Sequence, residues 1–311
     1  MSNLADQFWP YTVDGLTVGA IYALVALGYT MVYGVLRLIN FAHSEVFMIG
    51  TVGALLAADA LGVDAPRAGM SLVLTILACT LAAMLAGGTA AVVLERVAYR
   101  PLRRRGASRL AALISAIGAS FFLQELFARW RGRDNEAYAE VLRSDRLFTL
   151  FGADVTNRRA IAVVAAVVMM VALDQLVART RLGRGIRSVA QDPETATLMG
   201  VDIDRVVLAT FLLGGLMAGA AAELHSLLFP VTRYDVGFIF GIKAFTAAVL
   251  GGIGNLRGAL VGGFLLGLFE NWGAAVWSSE WKDVIAFGVL VVVLMFRPTG
   301  ILGESVARSR A

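Results

Sequence analysis

The sequence predicts an all-α membrane protein, a polytopic transmembrane bundle of about 8–10 helices with one short helix in a cytoplasmic loop. Three observations support this fold class. Of the 311 residues, 58% are hydrophobic and only 16% are charged, whereas charged residues make up about 25% of an ordinary soluble domain. Apolar stretches long enough to cross a bilayer recur along the chain, and arginines gather in the short segments between them, as the positive-inside rule describes.

Composition also limits the function classes. The formal net charge of +4 comes from arginines beside apolar stretches, so we expect these arginines to set membrane orientation and expect no nucleic-acid partner. Cys79, the single cysteine, lies inside an apolar stretch, which argues against disulfides and a thiolate metal site. The N-terminal segment has no basic region before its apolar run, which argues against a cleaved signal peptide. We therefore expect one membrane domain over residues 1–311.

Nine apolar stretches are candidate transmembrane helices. In chain order they cover residues 16–35, 46–58, 70–94, 110–130, 160–178, 206–222, 237–253, 259–269 and 283–296. The second is short, so we expect it to be broken or extended through 41–45, and eight or ten crossings stay open. The small-xxx-small spacings of Gly215 with Gly219, and of Gly254, Gly258 and Gly262, favour close helix packing.

Two arginine clusters mark the cytoplasmic side of the predicted bundle. They consist of Arg96, Arg100, Arg103, Arg104, Arg105 and Arg109 after the third stretch, and Arg179, Arg181, Arg184 and Arg187 after the fifth. Successive helices cross the membrane in alternating directions. With the first cluster in the cytoplasm, the mixed-charge loop at about 131–159 lies outside and the loop at about 179–205 lies in the cytoplasm. The N-terminus is then outside and the C-terminus inside.

The cytoplasmic loop carries the signals of a short capped helix. Asp192 suits the N-cap, Pro193 the first helical position, Glu194 the positive end of the helix dipole, and Gly200 the residue that stops the helix. About two turns are expected. Ala196, Met199 and Gly200 would lie near one another on one face, with Thr195 and Leu198 partly beside them. Such a face can dock into a groove of a partner protein, although a merely solvated loop helix is the simpler alternative.

Ionisable side chains at membrane depth indicate function by default, because burying them is costly. The deepest three are Glu45, Lys243 and Glu270, which are expected either to line an aqueous pathway or to pair within the bundle, and Lys243 can pair with Glu270. Those nearer the ends of stretches are expected to reach the interface; they are Asp14, Glu125, Asp174 and Glu223.

Catalytic and metal-binding patterns are mostly absent from the sequence. It contains no GxxxxGK[ST], HExxH or GxSxG motif. His43 and Glu45 are too few to hold a metal, which needs three or four ligands, so we expect them to satisfy polar backbone at a broken helix start. The sequence therefore predicts neither an enzyme nor a metal site.

Four blocks of sequence carry a family resemblance. They are LTVGAIYALVALGYTMVYGVLRLINFAHSEVFMIG, the capped helix with MGVDIDRV after it, GGIGNLRGALVGGFLLGLFENWGA, and SSEWKDVIAFGVLVVVLMFRPTGILG. In this order they resemble the permease subunits of bacterial branched-chain amino-acid ABC importers, and most closely the first of that system's two paralogous permeases. The resemblance runs from Asp14 to Gly303 and is weakest at 131–159.

The resemblance implies a multi-pass protein of the bacterial inner membrane with a periplasmic N-terminus. It implies a paralogous second permease, two cytoplasmic ATPase subunits that bind ATP and Mg, and a periplasmic binding protein that delivers leucine, isoleucine or valine. It implies no cofactor in this chain, whose helices would rock between outward- and inward-facing states when the ATPases close.

The resemblance also implies roles for particular residues. The segment 191–200 is similar to the coupling segment of ABC permeases, and its candidate coupling residues are Gln191, Asp192, Pro193, Glu194, Thr195, Ala196, Leu198, Met199 and Gly200. We place the substrate pathway near Asn40, His43, Glu45, Asn255 and Glu270.

Two alternatives stay open. Importers of urea or short-chain amides use permeases very similar to this chain. From a different class, the chain could be a self-sufficient ion-coupled carrier, which would use Glu45, Lys243 and Glu270 and would need no ATPase.

Overall fold

The computed structural model describes residues 2–303, with side chains from residue 7 onward, and most of this range is helical. The helices are α1 Ser2–Leu36, α2 His43–Ala60, α3 Gly69–Leu94, α4 Arg100–Arg104, α5 Arg109–Arg131, α6 Asn157–Arg179, α7 Arg181–Gln191, α8 Pro193–Leu198, α9 Ile203–Leu228, α10 Val236–Gly251, α11 Leu256–Val276 and α12 Lys282–Phe296. A π-helix, Glu95–Tyr99, joins α3 to α4, and a 3-10 turn, Ser279–Trp281, precedes α12. The predicted all-α membrane bundle is confirmed. The predicted cytoplasmic C-terminus falls on residues 304–311, outside the described residues.

Six helices within residues 2–303 are long and apolar enough to cross a membrane. They are Gln7–Leu36, Gly69–Arg104, Arg109–Arg131, Asn157–Arg179, Ile203–Leu228 and Leu256–Val276. The other three predicted stretches correspond in position to α2, α10 and α12, which have 18, 16 and 15 residues. Nine crossings therefore stay a prediction, although each of the nine stretches forms a helix.

Helix α2 begins inside the bundle instead of at its end. His43 packs on Gly28 of α1, where an added Cβ would lie 2.6 Å from the His43 ring atom Cε1. Gly28 precedes the last residue of α1 by eight positions, which is about 12 Å along a helix. The linker 37–42 thus folds back between the helices, and Asn40 and Ala42 are buried. The predicted extension of the second stretch is confirmed from His43 onward.

The core surrounds α1, which packs against α2, α9, α10 and α11. Its closest neighbour is α11: a Cβ added at Gly263 would lie 2.5 Å from the Cα of Ala23, and one at Gly267 would lie 2.6 Å from the Cα of Gly19. Because no side chain fits between these backbones, the two helices are in direct backbone contact, as small residues allow in lipid.

The predicted glycine spacings divide between two roles. Gly219 packs on α3, where an added Cβ would lie 2.6 Å from the Cα of Met84, and Gly262 packs on α10, 2.7 Å from the backbone nitrogen of Gly251. Gly254 is different, because its φ is +97° and the space around it is open. The packing prediction is therefore wrong for Gly254, which shapes the turn between α10 and α11.

Two small antiparallel sheets lie at one end of the bundle. Strand β1, Glu136–Ala137, pairs with β4, Val231–Thr232, and thereby joins the loop after α5 to the loop before α10. Strands β2, Arg146–Leu150, and β3, Ala153–Thr156, form a hairpin with an irregular register near Arg146. These strands lie in or beside loops for which the sequence predicted no regular structure.

Successive loops lie at opposite ends of the helix bundle, as expected when consecutive helices run in opposite directions. At the end with the sheets, Asp14 of α1 pairs with Arg159, 2.6 Å away. At the opposite end, Arg37 reaches α7 and Asn255 reaches Leu302. Both arginine clusters lie at this second end, which also holds α7 and α8. Below it is called the basic end.

Candidate functional site

The short helix α8 is built by local capping. The Asp192 carboxylate accepts the backbone N–H of Glu194 at 3.0 Å and of Thr195 at 3.3 Å, and the Thr195 hydroxyl also donates to it. These hydrogen bonds, the one from the Thr195 hydroxyl above all, lower the pKa of Asp192 below its ordinary value. The predicted N-cap at Asp192 and the helix start at Pro193 are confirmed.

The end of α8 is closed by a Schellman motif. The N–H of Gly200 donates to the carbonyl of Thr197 at 2.9 Å, and the N–H of Val201 donates to that of Ala196 at 3.0 Å. Gly200 has φ +83°, the left-handed backbone that the motif requires. With both ends fixed, this helix of six residues has a defined orientation.

Helix α8 is attached to the bundle through α7. Helix α7 buries Ile186 and Val189, and the guanidinium of Arg37 donates to the carbonyls of Ala190 at 3.1 Å and Gln191 at 3.5 Å. These carbonyls lie at the C-terminal end of a helix, where a cation is favourable. The linker between α1 and α2 therefore holds the segment that carries α8.

The exposed face of α8 differs from the predicted one. Ala196 is only 3% exposed and packs towards the bundle, whereas Leu198 is 87% and Met199 80% exposed. The remaining candidate coupling residues are exposed too; they are Gln191, Asp192, Pro193, Glu194, Thr195 and Gly200. Ala196 thus anchors α8 instead of docking a partner, and the docking role of the others stays a prediction.

Arginines of the first cluster bind an acidic residue that the sequence reading overlooked. Asp204, at the start of α9, accepts from Arg100 at 2.8 Å, Arg103 at 2.6 Å and Arg104 at 2.7 Å. Arg103 also pairs with buried Glu95 at 3.1 Å. The basic segment therefore ties α4 to the first turn of α9, in addition to its predicted role in orientation.

Asn40, His43 and Glu45 come together at the buried start of α2. Asn40 accepts a hydrogen bond of 2.7 Å from the Tyr99 hydroxyl of the π-helix, and His43 packs edge-on against Tyr29. The residue at the N-cap of α2 is Ala42, and no side chain caps the helix there. The expectation that His43 and Glu45 satisfy the backbone at this helix start is therefore wrong.

Glu45 instead connects α2 to α5. Its Oε1 accepts from Ser44 at 3.0 Å, Ser120 at 3.0 Å and Gln124 at 2.9 Å. The carboxylate is fully buried, and its Oε2 has no hydrogen-bond partner within residues 7–303. All three donors are neutral, so the structure leaves a buried acid without a basic partner among the described side chains.

A cavity and a groove lie against this cluster. The cavity is lined by Ser44 and Ser120 together with Tyr29, Phe41, Ile117, Phe121, Phe238 and Ile242. The groove encloses about 420 Å³ between α5 and the segment 231–240, and it shares Phe238 with the cavity and has Gln124 in its wall. Together they run along one face of α5 from the sheet end of the bundle towards Glu45.

Glu270 lies in a different polar cluster, in which every acid has a basic partner. The ammonium of Lys243 lies 2.7 Å from Glu270 and 2.6 Å from Asp283, and Tyr22 donates to Glu270 at 2.9 Å. The predicted pair of Lys243 and Glu270 is confirmed. Asp283 and Tyr22 extend it, so that the cluster joins α1, α10, α11 and α12.

Asn255 has a structural position at the basic end. Its side chain caps α11 by accepting the N–H of Gly258 at 3.1 Å, and it donates to the carbonyl of Leu302 at 2.9 Å. Of the five candidate pathway residues, Asn40, His43 and Glu45 are therefore brought together. Glu270 lies within α11, and Asn255 lies at the N-terminal end of the same helix.

Glu223 is a buried acid that the sequence placed wrongly at the interface. It is 0% exposed, and the hydroxyl of Tyr138 lies 3.0 Å from each of its oxygens. Burial and the neighbouring Glu223 raise the pKa of Tyr138 above its ordinary value. The other three acids expected at the ends of stretches pair with arginines: Asp14 with Arg159, Glu125 with Arg129 and Arg133, and Asp174 with Arg257.

Comparison with known proteins gives consistent results over nearly the whole chain. Residues 11–294 match the family model described as branched-chain amino acid transport system / permease component. The chain is similar to the high-affinity branched-chain amino acid transport system permease protein BraD of Pseudomonas aeruginosa, with 43% identity over 94% of both chains. It is also similar to LivH of Escherichia coli (strain K12), with 41% identity over 98% of both chains.

One solved structure has a more distant likeness. It is described as a metal-chelate type ABC transporter in an inward-facing conformation. The TM-score is 0.47 and the sequence identity 19%, and the match covers 91% of this chain and 85% of that one.

Proposed function

Because this chain belongs to the family of branched-chain amino acid transport permeases, we propose that it is the membrane-spanning subunit of an ATP-binding-cassette importer for leucine, isoleucine and valine. Transport follows alternating access, in which the helices rock between outward- and inward-facing states. The relatives BraD and LivH, which are named for this transport, support the substrate class.

The observation that carries the coupling mechanism is the exposed tip of α8. Leu198 and Met199 expose 87% and 80% of their surface at the end of a helix whose orientation is fixed by its two caps. Exposed apolar side chains of this size on a rigid element suit a hydrophobic groove of another protein. We assign this tip to the contact with the ATPase subunits.

The other partners follow from the same assignment. Two cytoplasmic ATPase subunits bind ATP and Mg and hydrolyse the nucleotide. A paralogous permease completes the membrane unit, and a periplasmic binding protein delivers the amino acid. Both arginine clusters lie at the end that carries α8, so this end faces the cytoplasm by the positive-inside rule. The first turn of α1 then faces the periplasm of a bacterial inner membrane.

Uptake into vesicles tests this proposal. Vesicles would contain the chain alone, or the chain with the second permease, the ATPases and the binding protein. We expect uptake of radiolabelled leucine only with the full set and ATP. Replacing the apolar tip by Leu198→Ser and Met199→Ser should reduce that uptake about tenfold or more, because apolar anchors dominate such contacts.

Thr197→Ala is the matched control, because Thr197 is also exposed on α8 but its hydroxyl, among the described residues, donates only to the carbonyl of Pro193 within the same helix. It should leave uptake within about twofold of wild type. Unchanged uptake by the double variant contradicts the coupling role. Uptake by the chain alone under an ion gradient shows a self-sufficient carrier, and ATP-driven uptake of urea without leucine keeps the mechanism but changes the substrate.

A further inference from the structure

The hairpin of β2 and β3, in the loop before α6, has an apolar face that extends across both of its strands. Opposed residues of an antiparallel pair project to the same side, whereas neighbours along a strand alternate. Phe148 lies opposite Val155, and Leu150 lies opposite Ala153. Because each strand contributes two apolar side chains to one side, these four residues form one continuous apolar surface.

The opposite face of the hairpin is polar. Thr149 lies opposite Asp154, and Asp154 pairs with Arg146 at 3.3 Å. The arginines on either side of the hairpin also have acidic partners: Arg143 pairs with Asp145, Arg158 with Glu140 and Arg159 with Asp14. Since these charges pair locally, the hairpin is an amphipathic element with little free charge for an ionic ligand.

Protein covers only the half of the apolar face that belongs to β3. This strand packs against α1 and α6, and Ala153 and Val155 are 0% and 9% exposed. On β2, Phe148 and Leu150 remain 52% and 42% exposed. An exposed edge strand with apolar side chains is prone to aggregation in water. The face of β2 therefore needs a cover that residues 7–303 do not supply.

The turn of the hairpin carries an aromatic side chain where the backbone disfavours one. Phe151 and Gly152 have φ values of +49° and +84°, and a two-residue hairpin turn with both φ values positive favours Asn followed by Gly. Phe151 stacks on Trp9 of α1, with 4.5 Å between the ring centroids, yet it stays 71% exposed. The stack offsets part of the backbone strain, and the rest of the ring is free to contact an apolar environment.

The hairpin lies at the level where two membrane-length helices begin. Trp9 belongs to the first turn of the stretch Gln7–Leu36, and β3 leads directly into α6 at Asn157. Aromatic side chains collect at this level because the boundary between headgroups and acyl chains suits rings with polar surroundings. The hairpin is therefore placed beside the bilayer surface.

We infer that β2 rests on lipid, so that the hairpin covers protein with its inner strand and the membrane boundary with its outer strand. Phe148, Leu150 and Phe151 enter the leaflet at the sheet end, while Thr149 and Asp154 face water. At this depth water and headgroups still satisfy the free backbone edge of β2, which hydrocarbon could not do.

The direction of the two faces selects lipid over a soluble protein as the partner. The apolar face is turned towards the bundle, because its β3 half is buried there. A soluble protein that approaches from water would meet the Thr149 and Asp154 face instead. Since the charges around the hairpin pair locally, an uncharged lipid surface is sufficient, and anionic headgroups are not required.

Collision measurements on a spin label test this placement. The full-length Cys79→Ala protein, which then has no native cysteine, carries Phe148→Cys with a nitroxide label and is reconstituted in phosphatidylcholine vesicles. Oxygen concentrates in hydrocarbon, and a nickel chelate stays in water. We expect the label at Phe148 to lie about 5–10 Å into the boundary between headgroups and acyl chains.

Thr149→Cys is the matched control, because Thr149 is the next residue of the same exposed strand and faces the other way. The ratio of oxygen to nickel collisions should be several-fold higher at Phe148 than at Thr149. Leu150→Cys, on the same face as Phe148, should repeat the high ratio. Far-UV circular dichroism and the thermal unfolding midpoint verify that each labelled protein folds like the Cys79→Ala protein.

Three outcomes overturn the inference. Equal collision ratios at Phe148 and Thr149 would show that β2 stands in water. Low collision rates with both reagents at Phe148 and Leu150 would show that protein covers this face. A high ratio that appears only after phosphatidylglycerol is added would show that charge, and not the apolar face, makes the contact.

The inference is independent of the proposed substrate and coupling mechanism. A complex that imports urea instead of leucine would change the proposed function and leave the collision ratios as expected. Conversely, equal ratios at Phe148 and Thr149 in a complex that imports leucine would overturn the contact between hairpin and lipid and leave the proposed function standing.

Discussion

Glu270 and Glu45 are both buried acids at membrane depth, yet the structure treats them in opposite ways. Glu270 has Lys243, Asp283 and Tyr22 around it and bonds through both oxygens. Glu45 has three neutral donors on one oxygen and, within residues 7–303, none on the other. The comparison shows that depth in the membrane does not by itself indicate function. What distinguishes the two acids is whether the chain supplies the opposite charge.

The largest expected effect comes from removing the positive charge that pairs with Glu270. Lys243→Met should lower the free energy of unfolding by about 3–5 kcal/mol, because it leaves a buried carboxylate unpaired. The measurement is the thermal unfolding midpoint of the detergent-purified protein. Lys282→Met is the control, since Lys282 is partly buried and, within residues 7–303, its ammonium donates only to the amide oxygen of Asn271 at 3.1 Å. Equal losses for the two variants would show that the Lys243 cluster is not a structural pair.

A smaller effect is expected at Glu223, whose partner is a hydroxyl instead of a cation. Tyr138→Phe removes the donor that lies 3.0 Å from both carboxylate oxygens. We expect a loss of about 1–3 kcal/mol, the usual cost of an unsatisfied buried group. Tyr234→Phe, in the half-buried loop before α10, should leave the unfolding midpoint unchanged. A Tyr138→Phe protein as stable as wild type would mean that Glu223 finds another donor.

Glu45→Gln should have less effect on stability than either variant, at most about 1 kcal/mol. The amide keeps an acceptor for Ser120 and Gln124, and the change deprives no base among the described residues of its partner. Glu270→Gln is the comparison, because it deprives Lys243 of its buried partner and should cost clearly more. The unfolding midpoints of the two variants are measured side by side. If Glu45→Gln unfolds as readily as Glu270→Gln, Glu45 is a structural acid and the contrast between the two disappears.

The smallest global effect is expected at Asp192, an acid that water reaches freely. Asp192→Ala should leave the unfolding midpoint unchanged but speed amide exchange at Glu194 and Thr195, because their N–H groups lose an acceptor. Hydrogen exchange followed by mass spectrometry measures this. Asp192→Asn keeps an oxygen acceptor and should retain most of the protection. Equally fast exchange in both variants would mean that the charge, and not the cap, orders α8.

The same cap has a defined pH dependence. Folding lowers the pKa of Asp192 below its ordinary value, so the cap stabilises the helix fully at neutral pH. This contribution is lost only as the pH falls through the lowered pKa, when the carboxylate takes up a proton. The amide protection at Glu194 should therefore be constant from pH 7 down to about 5 and decrease only in stronger acid.

Short-range sequence signals predicted correctly those features that depend only on residues near one another in the chain. The cap at Asp192, the stop at Gly200 and the apolar stretches depend on neighbours within a few residues, and each was predicted correctly. The pair of Lys243 and Glu270 could be named as a candidate because few charges occur at that depth. Gly254 was misassigned because a turn glycine and a packing glycine have the same letter and the same spacing.

Tertiary placement explains the remaining differences. Ser120 and Gln124 look like ordinary interruptions of an apolar stretch, and only the approach of α5 to α2 makes them partners of Glu45. The arginines around Asp204 already fit the positive-inside rule, so their pattern did not point to an acidic partner. Glu223 lies near the end of a stretch by position, but Tyr138 from a distant loop covers it.

The linker 37–42 has a consequence for how this protein can vary. At one end Arg37 is fixed to the carbonyls that end α7, and four residues later Phe41 forms a wall of the cavity beside Glu45. Loops ordinarily tolerate insertions and deletions. The linker 37–42 differs, because it is held at both Arg37 and Phe41 and must keep the distance between them. Adding or removing a single residue would shift α8 relative to the start of α2. We therefore expect the length of the linker 37–42 to vary as little as that of any helix in the bundle.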